Sequence, residues 1–108
     1  NQFREVFMNL LSNAREAMPG GGVIEVSTAL DKEFLRLSFK DSGIGIPEAI
    51  KGRLFEPFIT TKESGTGLGL AICQEIVTSH GGSIKADSAK GKGSIFTILL
   101  PIERASHA

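Results

Sequence analysis

Residues 3–18 read FREVFMNLLSNAREAM, with apolar side chains at Phe3, Val6, Phe7, Leu10, Leu11, Ala14, Ala17 and Met18. This i, i+3, i+4, i+7 spacing predicts a helix with one face against a core. Pro19 and the three glycines after it end the helix. Asn9 and Asn13 lie one turn apart on the shoulder of the stripe centred near Leu10, while Arg4, Ser12 and Arg15 fall on the opposite side. Two readings stay open for these amides. They hydrogen-bond a neighbouring loop, or they line a polar cavity and offer carbonyl oxygens to a cation.

Downstream, the period changes from 3.6 to 2. Val23 to Leu30 places Ile24, Val26 and Thr28 on one face and Glu25 and Ser27 on the other, a strand pattern. Phe34 to Asp41 alternates Leu35, Leu37 and Phe39 inward with Arg36, Ser38 and Lys40 outward. The polar turn Asp31-Lys32-Glu33 predicts a hairpin between them. Residues 42–66 hold no period, which suggests a functional loop or lid, with a short helical turn after Pro47. Leu68 to His80 predicts a second helix with Leu70, Cys73, Ile76, Val77 and His80 on one face and Gly81 at its C-terminal cap. Ser83–Ser88 and Ser94–Leu100 predict a second hairpin around Lys90-Gly91-Lys92-Gly93, and residues 103–108 a frayed tail. Helices and hairpins in this order make a two-layer α+β sandwich, one domain over residues 1–102.

Composition narrows the function. The 108 residues carry 12 basic and 12 acidic side chains, so no excess positive field favours nucleic acid or an anionic membrane. Cys73 is the only cysteine, which excludes an internal disulfide and fits a reducing, cytoplasmic setting. No apolar run approaches the roughly 20 residues that span a bilayer.

Three more stretches carry candidate chemistry. Asp41 continues the inward face of its strand, and a buried carboxylate needs a donor. It either caps the turn that Asp-Ser-Gly commonly makes, or recognises an exocyclic amine such as adenine's. Gly43 and Gly45 follow it and would let a ligand approach the backbone. Gly65-Thr66-Gly67-Leu68-Gly69 runs into the second helix, where free backbone N–H groups make an anion site, and Lys62 could add a mobile positive charge. This spacing is neither a P-loop nor the Rossmann fingerprint, and a plain flexible loop is the competing reading. Leu54-Phe55-Glu56-Pro57-Phe58 puts two aromatic rings in an aperiodic segment, where they dock on the body or position a lid.

Together these stretches resemble the ATP-binding catalytic domain of sensor histidine kinases, in the Bergerat-fold ATPase and kinase superfamily. NLLSNA is similar to its N box, DSGIGIP to its G1 box, LFEPF to its F box and GTGLGLAI to its G2 box, in order, from about Gln2 to Pro101. The resemblance implies a mixed, mostly antiparallel sheet covered on one face by helices. It implies that Asn13 ligates Mg²⁺ on the phosphates of ATP with Asn9 beside it, and that Asp41 binds the adenine amine. It implies that Gly43, Gly45 and Ile46 flank the base, that Gly65, Thr66, Gly67, Leu68 and Gly69 wrap the phosphates with Lys62 nearby, and that residues 47–66 form the lid. Asn9, Asn13 and Lys62 would serve catalysis.

ATP-hydrolysing relatives place a glutamate, acting as general base, where this chain has Asn9, which cannot take a proton. A neutral imidazole needs no such base. The expected activity is therefore transfer of the γ-phosphate to histidine. The alternatives are a catalytically silent ATP-binding interaction module, and an ATPase or serine kinase of the same fold. Many histidine kinases carry lysine where this chain has Glu16. His80 and His107 do not resemble acceptor sites. The acceptor histidine is expected on a helical dimerisation domain outside this chain, with a response regulator receiver domain as the further partner. A strand that the family places before the first helix is also expected outside it, leaving an open sheet edge. No nucleic acid and no direct membrane contact are expected.

Overall fold

The computed structural model describes residues 2–57, 69–88 and 93–102. The elements run α1 (Gln2–Glu16), β1 (Ile24–Asp31), β2 (Phe34–Asp41), α2 (Glu48–Lys51), α3 (Gly69–Ser79), β3 (Ser83–Ser88) and β4 (Ser94–Pro101). The strands form one sheet in the order β1-β2-β4-β3, and each described pairing is antiparallel. α1 and α3 pack against each other and cover one face of the sheet. This is the α+β two-layer sandwich that the periodicities predict.

Register decides which side chains meet. Ile84, Ile98, Leu37 and Thr28 align across the four strands, as do Ala86, Phe96, Phe39 and Val26. These two rows face the helices. Val6 and Leu10 of α1, and Cys73, Ile76 and Val77 of α3, close on them to make the core. Each such aliphatic side chain removed from water contributes about 2 kcal/mol.

The ends of the elements follow from local chemistry. Lys32 takes a positive φ of 60° in the tight turn between β1 and β2. Pro47 stands just before α2 and not inside it as its first residue. His80 closes α3: its ring nitrogen Nδ1 lies 2.9 Å from the Ile76 carbonyl, and the ring packs on Phe3 at 4.6 Å between centroids. It is thus a structural residue.

Val26 and Leu30 sit on the helix-facing side of β1, yet they are 53% and 75% exposed, because β1 is an edge strand of the described sheet. Part of the aperiodic segment is firmly docked. Leu54 is buried in the core, and Phe55 meets Phe96 edge-on at 6.3 Å. Residues 47–57 are therefore an anchored base, and the rest of the expected lid, 58–66, lies outside the described residues.

Candidate functional site

The site begins where β2 leaves the sheet. Asp41 is 2% exposed, and its carboxylate is held by three donors. The Gly43 N–H donates to Oδ1 at 2.9 Å, the Ser94 N–H to the same oxygen at 3.3 Å, and the Ser94 hydroxyl to Oδ2 at 2.7 Å. The turn-capping reading of Asp41 holds, since it accepts the Gly43 N–H, and the carboxylate is buried as the inward face of β2 predicts. A carboxylate offers about four acceptor positions. Three are filled by donors among the described residues, and the second position on Oδ2 can take a further donor.

Ser94 is a residue that sequence reasoning missed. It is the cross-strand partner of Asp41, and Ser88 is in turn the partner of Ser94. One row at the end of the sheet thus reads Ile24, Asp41, Ser94, Ser88. Counting by twos puts both serines on inward faces, since Ser88 follows inward Ile84 and Ala86 and Ser94 precedes inward Phe96 and Ile98, but only the strand register puts them beside Asp41.

The loop after Asp41 is tied down on both sides. The Ile44 N–H donates to the Ala17 carbonyl at 3.1 Å, just beyond the end of α1. Val23 N–H donates to the Ser42 hydroxyl at 3.0 Å, and that hydroxyl points to the Met18 sulfur at 3.3 Å. On the other side, the Ile46 N–H donates to Ser88 Oγ at 2.8 Å. Gly43 was expected to make room for a ligand, but the protein itself uses that room. A Cβ there would run into the Ala17 carbonyl oxygen and lie 2.9 Å from Ala17 Cβ.

Asn9 and Asn13 are half-buried on the half of α1 that leads to Ala17. Asn9 borders the first residue of α3: a Cβ on Gly69 would stand 3.2 Å from Asn9 Oδ1. The structure therefore joins Asn9 and Gly69 where α1 meets α3, and places Asn13 one turn further along α1, where its carbonyl accepts the Ala17 N–H. It joins Asp41, Gly43, Gly45 and Ile46 at the end of β2, and links the two groups through Ala17. Lys62, Gly65, Thr66, Gly67 and Leu68 lie outside the described residues. A separate groove of about 520 Å³, lined by Phe55, Pro57, Gln74, Glu75 and Thr78 among others, runs along the outer side of α3 and contains none of these residues.

Cys73 lies beneath Asn9. Its thiol donates to the Val6 carbonyl at 3.8 Å. Burial pushes its pKa up to about 11, Glu5 adds to this, and a hydrogen bond with the Asn9 side chain partly offsets it. A thiol whose folded pKa exceeds its ordinary 9.0 keeps its proton longer folded than unfolded. Its stabilising contribution is complete below pH 9 and is lost as pH rises toward 11. Urea unfolding at pH 8 and pH 10.5 should show this loss in the natural chain and a smaller one in Cys73→Ala. The chain has no tyrosine to confuse the result. Equal losses in both proteins would refute the assignment.

An amide-bearing helix, a buried strand-end carboxylate and a glycine at the start of a second helix thus occupy one side of the molecule. A family model described as histidine kinase-, DNA gyrase B- and HSP90-like ATPase matches residues 1–104. The chain belongs to this ATPase family. Within it, the resemblance is to histidine kinases. The chain is 45% identical over 106 residues to sporulation kinase C of Bacillus subtilis, covering 98% of this chain and 25% of the relative. It is 50% identical over 105 residues to sporulation kinase E of the same organism, covering 96% and 14%. It spans a quarter or less of these curated relatives. The solved catalytic domain of histidine kinase ThkA aligns with a TM-score of 0.82 at 39% identity, over 93% of this chain and 66% of that one. Full-length ShkA in complex with AMPPNP aligns with a TM-score of 0.84 at 30% identity, over 96% of this chain and 22% of that one. The chain is thus an ATP-binding catalytic domain of the histidine kinase type, with the Bergerat fold.

Proposed function

We propose that this domain binds Mg-ATP and donates the γ-phosphate to a histidine on a helical dimerisation and phosphoacceptor domain outside this chain. The observation that carries the reading is Asp41: a buried carboxylate with three donors among the described residues and acceptor capacity for one more. An exocyclic amine at the purine 6-position supplies that donor, whereas a 6-oxo group in the same pose presents an acceptor against an acceptor. The complex of similar ShkA with AMPPNP, an adenine nucleotide analogue, supports the same ligand class.

The residues present fit a magnesium ion. Asn9 and Asn13 are hard oxygen donors on one helix face, the ligand type this ion takes. Asn13 would hold it, and bound there it would neutralise charge on the phosphates. The backbone N–H groups at the start of α3 and Lys62 would add positive potential. Phosphoryl transfer needs mainly positioning and charge neutralisation, so this set suffices. Asn9 cannot accept a proton, which leaves water poorly activated and reserves the phosphate for a nucleophile with its own lone pair. The phosphorylated histidine would then serve a response regulator receiver domain, on the cytoplasmic side where ATP is available.

Calorimetric titration with ATP, with and without Mg²⁺, tests the binding. Asn13→Ala is expected to reduce the Mg²⁺ enhancement by about tenfold or more, an effect of the size seen for a lost metal-site contact. Supplying a dimeric acceptor-helix domain and radiolabelled ATP should then give acid-labile, base-stable label on that domain. ATP binding without such label would leave a silent binding module as the better account.

A further inference from the structure

The row Asp41, Ser94, Ser88 ends in a serine that does not touch the carboxylate. Ser88 Oγ instead accepts the Ile46 N–H at 2.8 Å and donates to the Gly93 carbonyl at 3.2 Å. Its own carbonyl accepts the Lys51 ammonium at 3.3 Å. Ser88 thus ties the stretch from Ile46 to Lys51, about forty residues earlier in the chain, to the turn into β4. Gly93, the second partner, packs directly on the exit of β2, since a Cβ there would overlap the Asp41 carbonyl oxygen and stand 3.0 Å from the Gly43 nitrogen.

We propose that Ser88 is a positioning residue for base selection. Through Ile46 and Gly93 it sets the distance between the loop Gly43–Ile46 and the Asp41–Ser94 pair, and Lys51 holds it in place. The inference rests on the nucleotide reading above. Its physical content is that Asp41 recognises one amine only while the loop facing it is held in register. Removing the Ser88 hydroxyl leaves the half-buried Ile46 N–H without this acceptor and lets the loop move away from the carboxylate. Contacts to the phosphates come from α1 and the start of α3, so they are left intact. The loss therefore falls on base discrimination and not on metal-dependent phosphate binding.

The test compares ATP and GTP titrations of the natural chain, Ser88→Ala, Ser88→Thr and Lys51→Met, each at a urea-verified folded fraction near one. Ser88→Ala is expected to weaken ATP binding about 10-fold and to shrink the ATP/GTP preference by a similar factor, with the Mg²⁺ enhancement unchanged. Ser88→Thr keeps the hydroxyl and should restore both. Lys51→Met should give a smaller change in the same direction, and it keeps the proposal testable if Ser88→Ala does not fold. Natural-level preference in Ser88→Ala, or in Lys51→Met where the alanine variant is unfolded, overturns the proposal while leaving the nucleotide reading standing. Absence of ATP binding by the natural chain overturns both.

Discussion

Asp41→Asn is expected to weaken ATP binding by about 100-fold, with a smaller loss for GTP. The argument is a count of donors and acceptors. The asparagine carbonyl can keep the Gly43 and Ser94 N–H groups that now reach Oδ1. Its amide nitrogen then takes the place of Oδ2, where the Ser94 hydroxyl now donates at 2.7 Å. The hydroxyl can rotate and accept one amide hydrogen. The second amide hydrogen is left where the purine amine needs an acceptor, donor against donor. A buried polar group left unpaired in this way costs about 1–3 kcal/mol, and roughly 2.7 kcal/mol is the 100-fold expected. A 6-oxo purine offers that amide hydrogen an acceptor, so the ATP/GTP ratio should fall. The charge-assisted bonds within the protein weaken too, by about 1–2 kcal/mol of folding stability. ATP affinity within threefold of the natural chain, measured by calorimetry on folded protein, would remove Asp41 from the site.

Much of this arrangement could be read before the fold was known, and the exceptions share a cause. Local periodicity is enough to make residues 3–18 a helix, to put Asn9 and Asn13 on its shoulder, and to continue the inward face of Leu37 and Phe39 to Asp41. Each of those statements needs only one element's own geometry. Ser94 and Ser88 need the pairing of β2 with β4 and of β4 with β3, and that register is long-range information. A serine beside a glycine turn reads as turn chemistry until its cross-strand neighbour is known. Val26 and Leu30 show the complementary gap. Period 2 assigns Val26 a face correctly and Leu30 continues it, but whether a helix covers that face depends on the place of β1 at the edge of the described sheet. Gly43 was legible as a close approach but not as an approach to what, since Ala17 is brought to it by the return of β2 beneath α1. Lys51 sits in an aperiodic stretch where nothing in the sequence separates it from a solvated surface lysine, and only its bond to the Ser88 carbonyl does so.

Gly93→Ala should be the most destabilising single methyl group that can be added to this site. Gly93 has φ of +82°, a left-handed backbone that costs an alanine about 1–2 kcal/mol. The new Cβ would also overlap the carbonyl oxygen of Asp41 and crowd the Gly43 nitrogen at 3.0 Å. Both obstacles are backbone, so no rotamer change relieves them, and either β4 or the end of β2 has to move. Overpacking of this kind adds about 1–3 kcal/mol, for a total near 3 kcal/mol or more in urea unfolding. Gly20→Ala is the control, because a Cβ there meets nothing within 4 Å and the φ is not positive. It should leave stability unchanged or raise it by up to about 1 kcal/mol through the unfolded chain. The clash in Gly93→Ala is with Asp41, the residue proposed to recognise the base. ATP affinity should therefore fall even where the variant is fully folded, because the carboxylate moves with its own carbonyl. A destabilisation under about 1 kcal/mol would show that the turn into β4 yields freely. The close seating of Gly93 on β2 would then not be what holds Asp41 in place.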